Sequence, residues 1–126
     1  MINYFIKSNG WLTTRLDKYL SLDFGWGNGY VIIPKDHPCY KMHYDDIHNK
    51  YNIQAHGGLT FCGSAQIIDW EELDEKYKSE DYWIVGFDTA HYGDTSISCP
   101  KEYVEQSTKE LAEQFDKLWK NHNQVS

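Results

Sequence analysis

Apolar residues along this chain gather into short runs, and the runs differ in period. Tyr82-Trp83-Ile84-Val85-Gly86-Phe87 is the most hydrophobic of them. Continuous apolar character without alternation predicts a central strand covered on both faces. Tyr30-Val31-Ile32-Ile33, largely β-branched and closed by Pro34, predicts a strand over 29–34, and Ile2-Asn3-Tyr4-Phe5-Ile6 a short first strand. Between them, GWGNG at 25–29 reads as a hairpin turn, because Asn28 and Gly29 both accept positive φ. Residues 101–121 have a helical period instead. Val104, Leu111, Phe115 and Leu118 fall on one face behind Pro100, with glutamates early and lysines late, the order the helix dipole favours. Leu12, Leu16, Tyr19 and Leu20 predict a shorter helix at 11–20.

The remaining segments carry weaker patterns. Residues 51–55 and 58–62 flank Gly57-Gly58 and read as short strands or one bent strand, with a further strand at 64–69. Residues 35–50 have no clear period and read as a long surface loop, and the charged 70–81 run reads as a helical turn or solvated connector. The predicted fold is α+β: a small, mostly antiparallel sheet with the C-terminal helix packed on one face. Residues 1–126 suit a single domain, and no repeat or low-complexity tract divides them.

Composition narrows the function classes. Hydrophobic residues make up 40% of the chain and aromatics 16%, enough to build a core with rings left over for a pocket or interface. The formal net charge is −7 and Arg15 is the single arginine. Without a basic stripe to neutralise phosphates, nucleic acid is excluded as a partner, and anionic membranes are repelled. No segment approaches the length of a signal sequence or a membrane span, so a cytoplasmic protein is expected. Cys39, Cys62 and Cys99 lack C-x-x-C spacing, which argues against a disulfide framework and against a structural zinc site of the usual kind.

Candidate chemistry concentrates in two His-bearing glycine segments, HGGLTF at 56–61 and GFDTAHYGD at 86–94. In the second, a buried strand runs into a loop through Asp88, and a rigid strand end fixes the geometry of the loop residues next to it. Asp88 can orient His91 for general-base work, or the two can bind a divalent metal with His56 or Asp94. His56, Asp88 and His91 are therefore the candidate catalytic residues. Gly57, Gly58, Thr60, Thr89, Tyr92 and Asp94 are the candidate ligand contacts, and the metal and any cofactor are left unassigned. The bland alternatives are a tight turn carrying an exposed His56, and an Asp88 that caps its own loop with His91 packed against Tyr92. His37, His43, Asp45 and Asp46 can furnish further ligands, though loop polarity accounts for them. Cys62 and Cys99 flank the motifs, so a Cys/His nucleophilic pair stands beside the simpler reading of two small buried thiols. The site requires 51–62 and 82–88 to be neighbours in one sheet, so that His56 and His91 face one cleft.

GYVIIPKDHPCY, then DD, HGGLTF, WIVGFDTAHYGD and a C-terminal helix make the chain resemble a group of small uncharacterised bacteriophage and prophage proteins. The likeness covers residues 29–118 and is most specific in the last two motifs. It implies an accessory protein of the infected bacterial cytoplasm, acting against host defence, and it supplies no catalytic residues. Two functions are expected on this basis. One is a polar cleft that binds, and can hydrolyse, a small ligand, a nucleotide-like one included. The other is an acidic protein that inhibits a host defence enzyme. A homo-oligomer pairing exposed aromatics is a third.

Overall fold

The computed structural model describes residues 1–9, 24–91 and 93–125. Among these residues the elements in chain order are β1 (Asn3–Ser8), β2 (Gly27–Pro34), α1 (Tyr44–Tyr51), β3 (Phe61–Ser64), a short 3-10 turn (Glu75–Tyr77), β4 (Tyr82–Phe87) and α2 (Lys101–Val125). The four strands form one antiparallel sheet in the order β1-β2-β4-β3. The fold is α+β, with the C-terminal helix α2 packed against β1 and β2. Among the described residues, no helix is long and apolar enough to cross a membrane.

The apolar run of β4 is explained by its place in the middle of the sheet. Val85 and Phe87 face α2 and join Val31, Ile33, Leu111 and Phe115 in the larger core. Ile84 points the other way and packs with Tyr30, Ile32, Ala65, Ile68 and Leu73. That second face is covered by the β3–β4 connection rather than by a helix. Trp70 from this connection seats its ring 4.8 Å from Tyr30 and 5.4 Å from Phe61. The 70–81 segment is thus a lid on the sheet with a charged outer side, and its charge conceals a buried Leu73.

Several expectations from the sequence change here. Asn28 and Gly29 are not a hairpin turn: both lie inside β2, opposite Lys7 and Ile6. Gly29 serves close packing instead, since a Cβ there would overlap Thr108 Oγ1 of α2 and stand 2.6 Å from Phe87. Residues 44–50, expected within a loop, form α1 together with Tyr51, and one free N–H of its first turn, that of Asp45, donates to His43 Nδ1. Ile47 is the one buried residue of α1, and one anchor per helix leaves no apolar period to detect. Residues 51–55 form no strand, and of the strand expected at 64–69 only Ser64 is in the sheet, as the last residue of β3. The helix expected at 11–20 lies outside the described residues.

His37 is a structural residue. It is 3% exposed, its Nε2–H donates to Phe115 O at 2.9 Å, and its Nδ1 accepts from Cys39 N–H at 3.0 Å. Both bonds together require the neutral ring, and burial lowers its pKa, outweighing the contrary pull of Phe115 O, Asp36 and Asp116, with His122 adding to the lowering.

Candidate functional site

The two motifs meet where β3 and β4 pair. Phe61 stands opposite Gly86, and one residue earlier Thr60 N–H donates to Gly86 O at 2.9 Å. This brings the turn before β3 alongside the loop after β4. Each histidine is carried on a turn closed by a backbone bond, Gly58 N–H to Ala55 O in one and Asp94 N–H to His91 O in the other, both 2.9 Å. Gly57 has φ +66°, and a Cβ on it would collide with the His91 ring, lying 2.7 Å from Nε2 and 2.8 Å from Nδ1. Glycine is therefore required there twice, for the turn and for the approach of His91.

Asp94 is the centre of the constellation. His56 Nε2 lies 2.9 Å from Oδ1, and His91 Nδ1 lies 2.9 Å from Oδ2. A carboxylate only accepts, so both ring nitrogens donate to it. His91 N–H adds a third bond to Oδ2 at 3.0 Å. Burial by itself would raise the Asp94 carboxyl, but the His91 N–H and the two rings outweigh it and hold the group below its ordinary value. The ring centroids of His56 and His91 are 5.7 Å apart.

Each imidazole also has a partner at its other nitrogen. His56 Nδ1 lies 2.7 Å from the Tyr103 hydroxyl, on the first turns of α2. His91 Nε2 lies 3.4 Å from Asp88 Oδ1, while the other role of Asp88 Oδ1 is to accept from Ala90 N–H at 3.0 Å. A continuous polar chain results: Tyr103, His56, Asp94, His91, Asp88. Its members are partly open to solvent, with side-chain exposures of 20% for His56, 34% for His91 and 11% for Asp94. Beside His56 is a shallow hollow of about 230 Å³, walled by Gln54, Tyr103, Ser107, Glu110 and Gln114.

Cys99 joins the same cluster. Its Sγ is 3.7 Å from Asp94 Oδ1 and 3.9 Å from His56 Nε2. The residue is buried, and burial together with the Asp94 charge raises the thiol pKa despite bonds from Ser98 and Thr95. A neutral, enclosed thiol is a poor nucleophile. Cys62 sits on β3 opposite Val85.

Of the residues singled out in the sequence, His56, Asp88, His91 and Asp94 come together, with Gly57 beneath His91. Gly58 stands open to space. Thr60 has an exposed side chain at the start of β3. Thr89 is buried, and its hydroxyl donates to Gly27 O at 2.6 Å, tying the loop to β2. Tyr92 lies outside the described residues. His37 and His43 serve the core and the α1 cap, away from the group of three potential ligands. Sequence reading misses Tyr103, because a tyrosine one residue before the apolar stripe of a helix carries no signal until His56 is placed beside it. No family model, curated protein or solved structure matches this chain.

Proposed function

We propose that this protein binds and hydrolyses a small polar ligand at the Asp94-centred cluster. The observation that carries the reading is that His56 and His91, from separate motifs, donate to the two oxygens of one carboxylate. An Asp94–His91 pair has the form of a general-base dyad: the carboxylate fixes the ring through Nδ1–H and stabilises the imidazolium that forms. His91 Nε2 then takes a proton from water as the water oxygen attacks the electrophilic centre. As the bond to the leaving group breaks, the imidazolium returns that proton to it. Asp88, beside Nε2, adds to the stabilisation of the charged ring. The hollow near His56 is below the roughly 300–1,000 Å³ of a drug-sized site. It has the size for one sugar or one phosphoryl group, the latter only with a cation to offset Glu110 in its wall. A phage accessory role against host defence rests on the resemblance of the motifs alone.

The test is hydrolysis of bis(p-nitrophenyl) phosphate and p-nitrophenyl acetate by the full chain. His91→Ala and Asp94→Asn are expected to lower the rate at least ~100-fold, the scale of lost acid–base catalysis, with circular dichroism unchanged. Wild-type turnover that both variants retain would overturn the assignment. Capture of a stoichiometric host enzyme by both variants as by wild type, with no turnover, would favour the inhibitor instead.

A further inference from the structure

We infer that His56, His91 and Asp94 form a binding site for one divalent transition-metal ion of the zinc class, with coordination positions left open. This deepens the hydrolytic reading and rests on it only in taking the cluster as the working site, since metal binding is measured without a substrate.

The donor set comes first. Each of the three residues offers one ligand atom, and these atoms all lie within 4.8 Å of one another. A tetrahedral ion with nitrogen and oxygen ligands at about 2.0–2.2 Å spaces them roughly 3.3–3.6 Å apart. The two histidine–aspartate edges are at 2.9 Å as hydrogen bonds, one to each carboxylate oxygen, so an ion takes the place of those protons and draws together ligand atoms that lie within 4.8 Å. Two imidazoles and one carboxylate, borderline donors that leave positions vacant, match catalytic zinc and related divalent ions rather than calcium or magnesium.

The far nitrogens supply an independent observation. A ligating imidazole has to place its remaining N–H on an acceptor, which fixes its tautomer and orientation. His56 can ligate through Nε2 with Nδ1–H donated to the Tyr103 hydroxyl, 2.7 Å away. His91 can ligate through Nδ1 with Nε2–H donated to Asp88 Oδ1, 3.4 Å away. Both neutral rings change tautomer on ligation: His56 moves its proton from Nε2 to Nδ1, with Tyr103 changing from donor to acceptor, and His91 moves its proton from Nδ1 to Nε2, toward Asp88. The hydroxyl and the second carboxylate thus stand where a metal site needs them.

Charge points the same way. Asp88 and Asp94 are paired only with histidines among the described residues, and no lysine or arginine there forms an ion pair with either. A cation relieves that accumulation, and it also supplies the positive centre that a phosphoryl ligand would otherwise lack here. Held by His56, His91 and Asp94, such an ion would supply Lewis-acid activation of water, the part that His91 Nε2 takes in the metal-free reading.

Cys99 separates an open site from a closed one. Its sulfur lies 3.7 Å from Asp94 Oδ1 and 3.9 Å from His56 Nε2, near enough that the titration itself reads whether it ligates.

The experiment is titration of the untagged full chain with Zn²⁺ by calorimetry and with Co²⁺ by visible absorption. One equivalent should bind with micromolar or tighter affinity. His56→Ala and His91→Gln should each weaken binding more than ~100-fold. Asp88→Asn and Tyr103→Phe should weaken it about 10–100-fold, as loss of an outer-shell partner does. Cys99→Ala should leave affinity unchanged, and the Co²⁺ spectrum should lack a thiolate charge-transfer band. Absence of saturable binding by the wild type would overturn the inference, as would unchanged affinity in the histidine variants. A thiolate band lost in Cys99→Ala would overturn the open site. Since the wild-type titration needs no variant to fold, misfolding cannot mask the result. Ester or phosphodiester turnover without metal binding sinks this inference alone, whereas metal binding without turnover sinks only the hydrolytic reading.

Discussion

Gly57→Ala tests the meeting of the two motifs directly. The substitution has two physical effects. An alanine at φ +66° sits in the left-handed region at a cost of roughly 1–2 kcal/mol, less about 0.4–1 kcal/mol regained from a stiffer unfolded chain. Its Cβ also overlaps the His91 ring, and forcing a side chain aside in a packed site costs typically 1–3 kcal/mol. The single substitution should therefore destabilise the protein by about 1–5 kcal/mol. In a His91→Ala background the ring is gone, and only the backbone effect, about 0–1.6 kcal/mol, is left. The double-mutant cycle should thus show a coupling of about 1–3 kcal/mol, with the double variant more stable than the sum of the singles predicts. Urea unfolding followed by tryptophan fluorescence measures all four proteins. If the two substitutions add within about 0.5 kcal/mol, the range for residues that do not touch, then His91 does not rest on Gly57 and the site as described is wrong.

His37 predicts a pH dependence of stability. Its folded-state pKa lies below the ordinary 6.5, so the unfolded chain binds the proton first, and stability falls as pH drops below about 6.5. The slope from this one group is at most about 1.4 kcal/mol per pH unit. The titratable groups acting on it are Asp36, Asp116 and His122. Unfolding between pH 8 and 5 should show a shallower decline in His37→Gln than in wild type, and superimposable profiles would refute the neutral-ring assignment. Gly29→Ala should destabilise by about 1–3 kcal/mol, because the added Cβ meets Thr108 and Phe87; an unchanged midpoint would mean that β2 and α2 do not approach there.

The sequence carried the sheet-and-helix architecture because the responsible patterns are local. The unbroken apolar run at 82–87 marks a strand buried on both sides, and the 3.6-residue stripe through Val104, Leu111 and Phe115 marks a helix buried on one. Where a pattern had one buried anchor, as at Ile47 in α1, nothing periodic was available to read. Asn28-Gly29 misled for the opposite reason. The dipeptide allows a turn, but its glycine was needed so that α2 could come close, and a short-range rule does not see a contact with Thr108.

The site divides along the same line. By themselves the residues indicated that chemistry lies in HGGLTF and GFDTAHYGD, since strand ends and glycine turns are where polar side chains are held at fixed geometry. Tertiary structure alone decided that Asp94, expected as a ligand contact, is the hub between His56 and His91, and that Tyr103 and Cys99 complete its surroundings. Those contacts span 38 residues from His56 to Asp94 and 47 from His56 to Tyr103. Only strand pairing and helix packing bring groups so distant in sequence to within hydrogen-bonding reach.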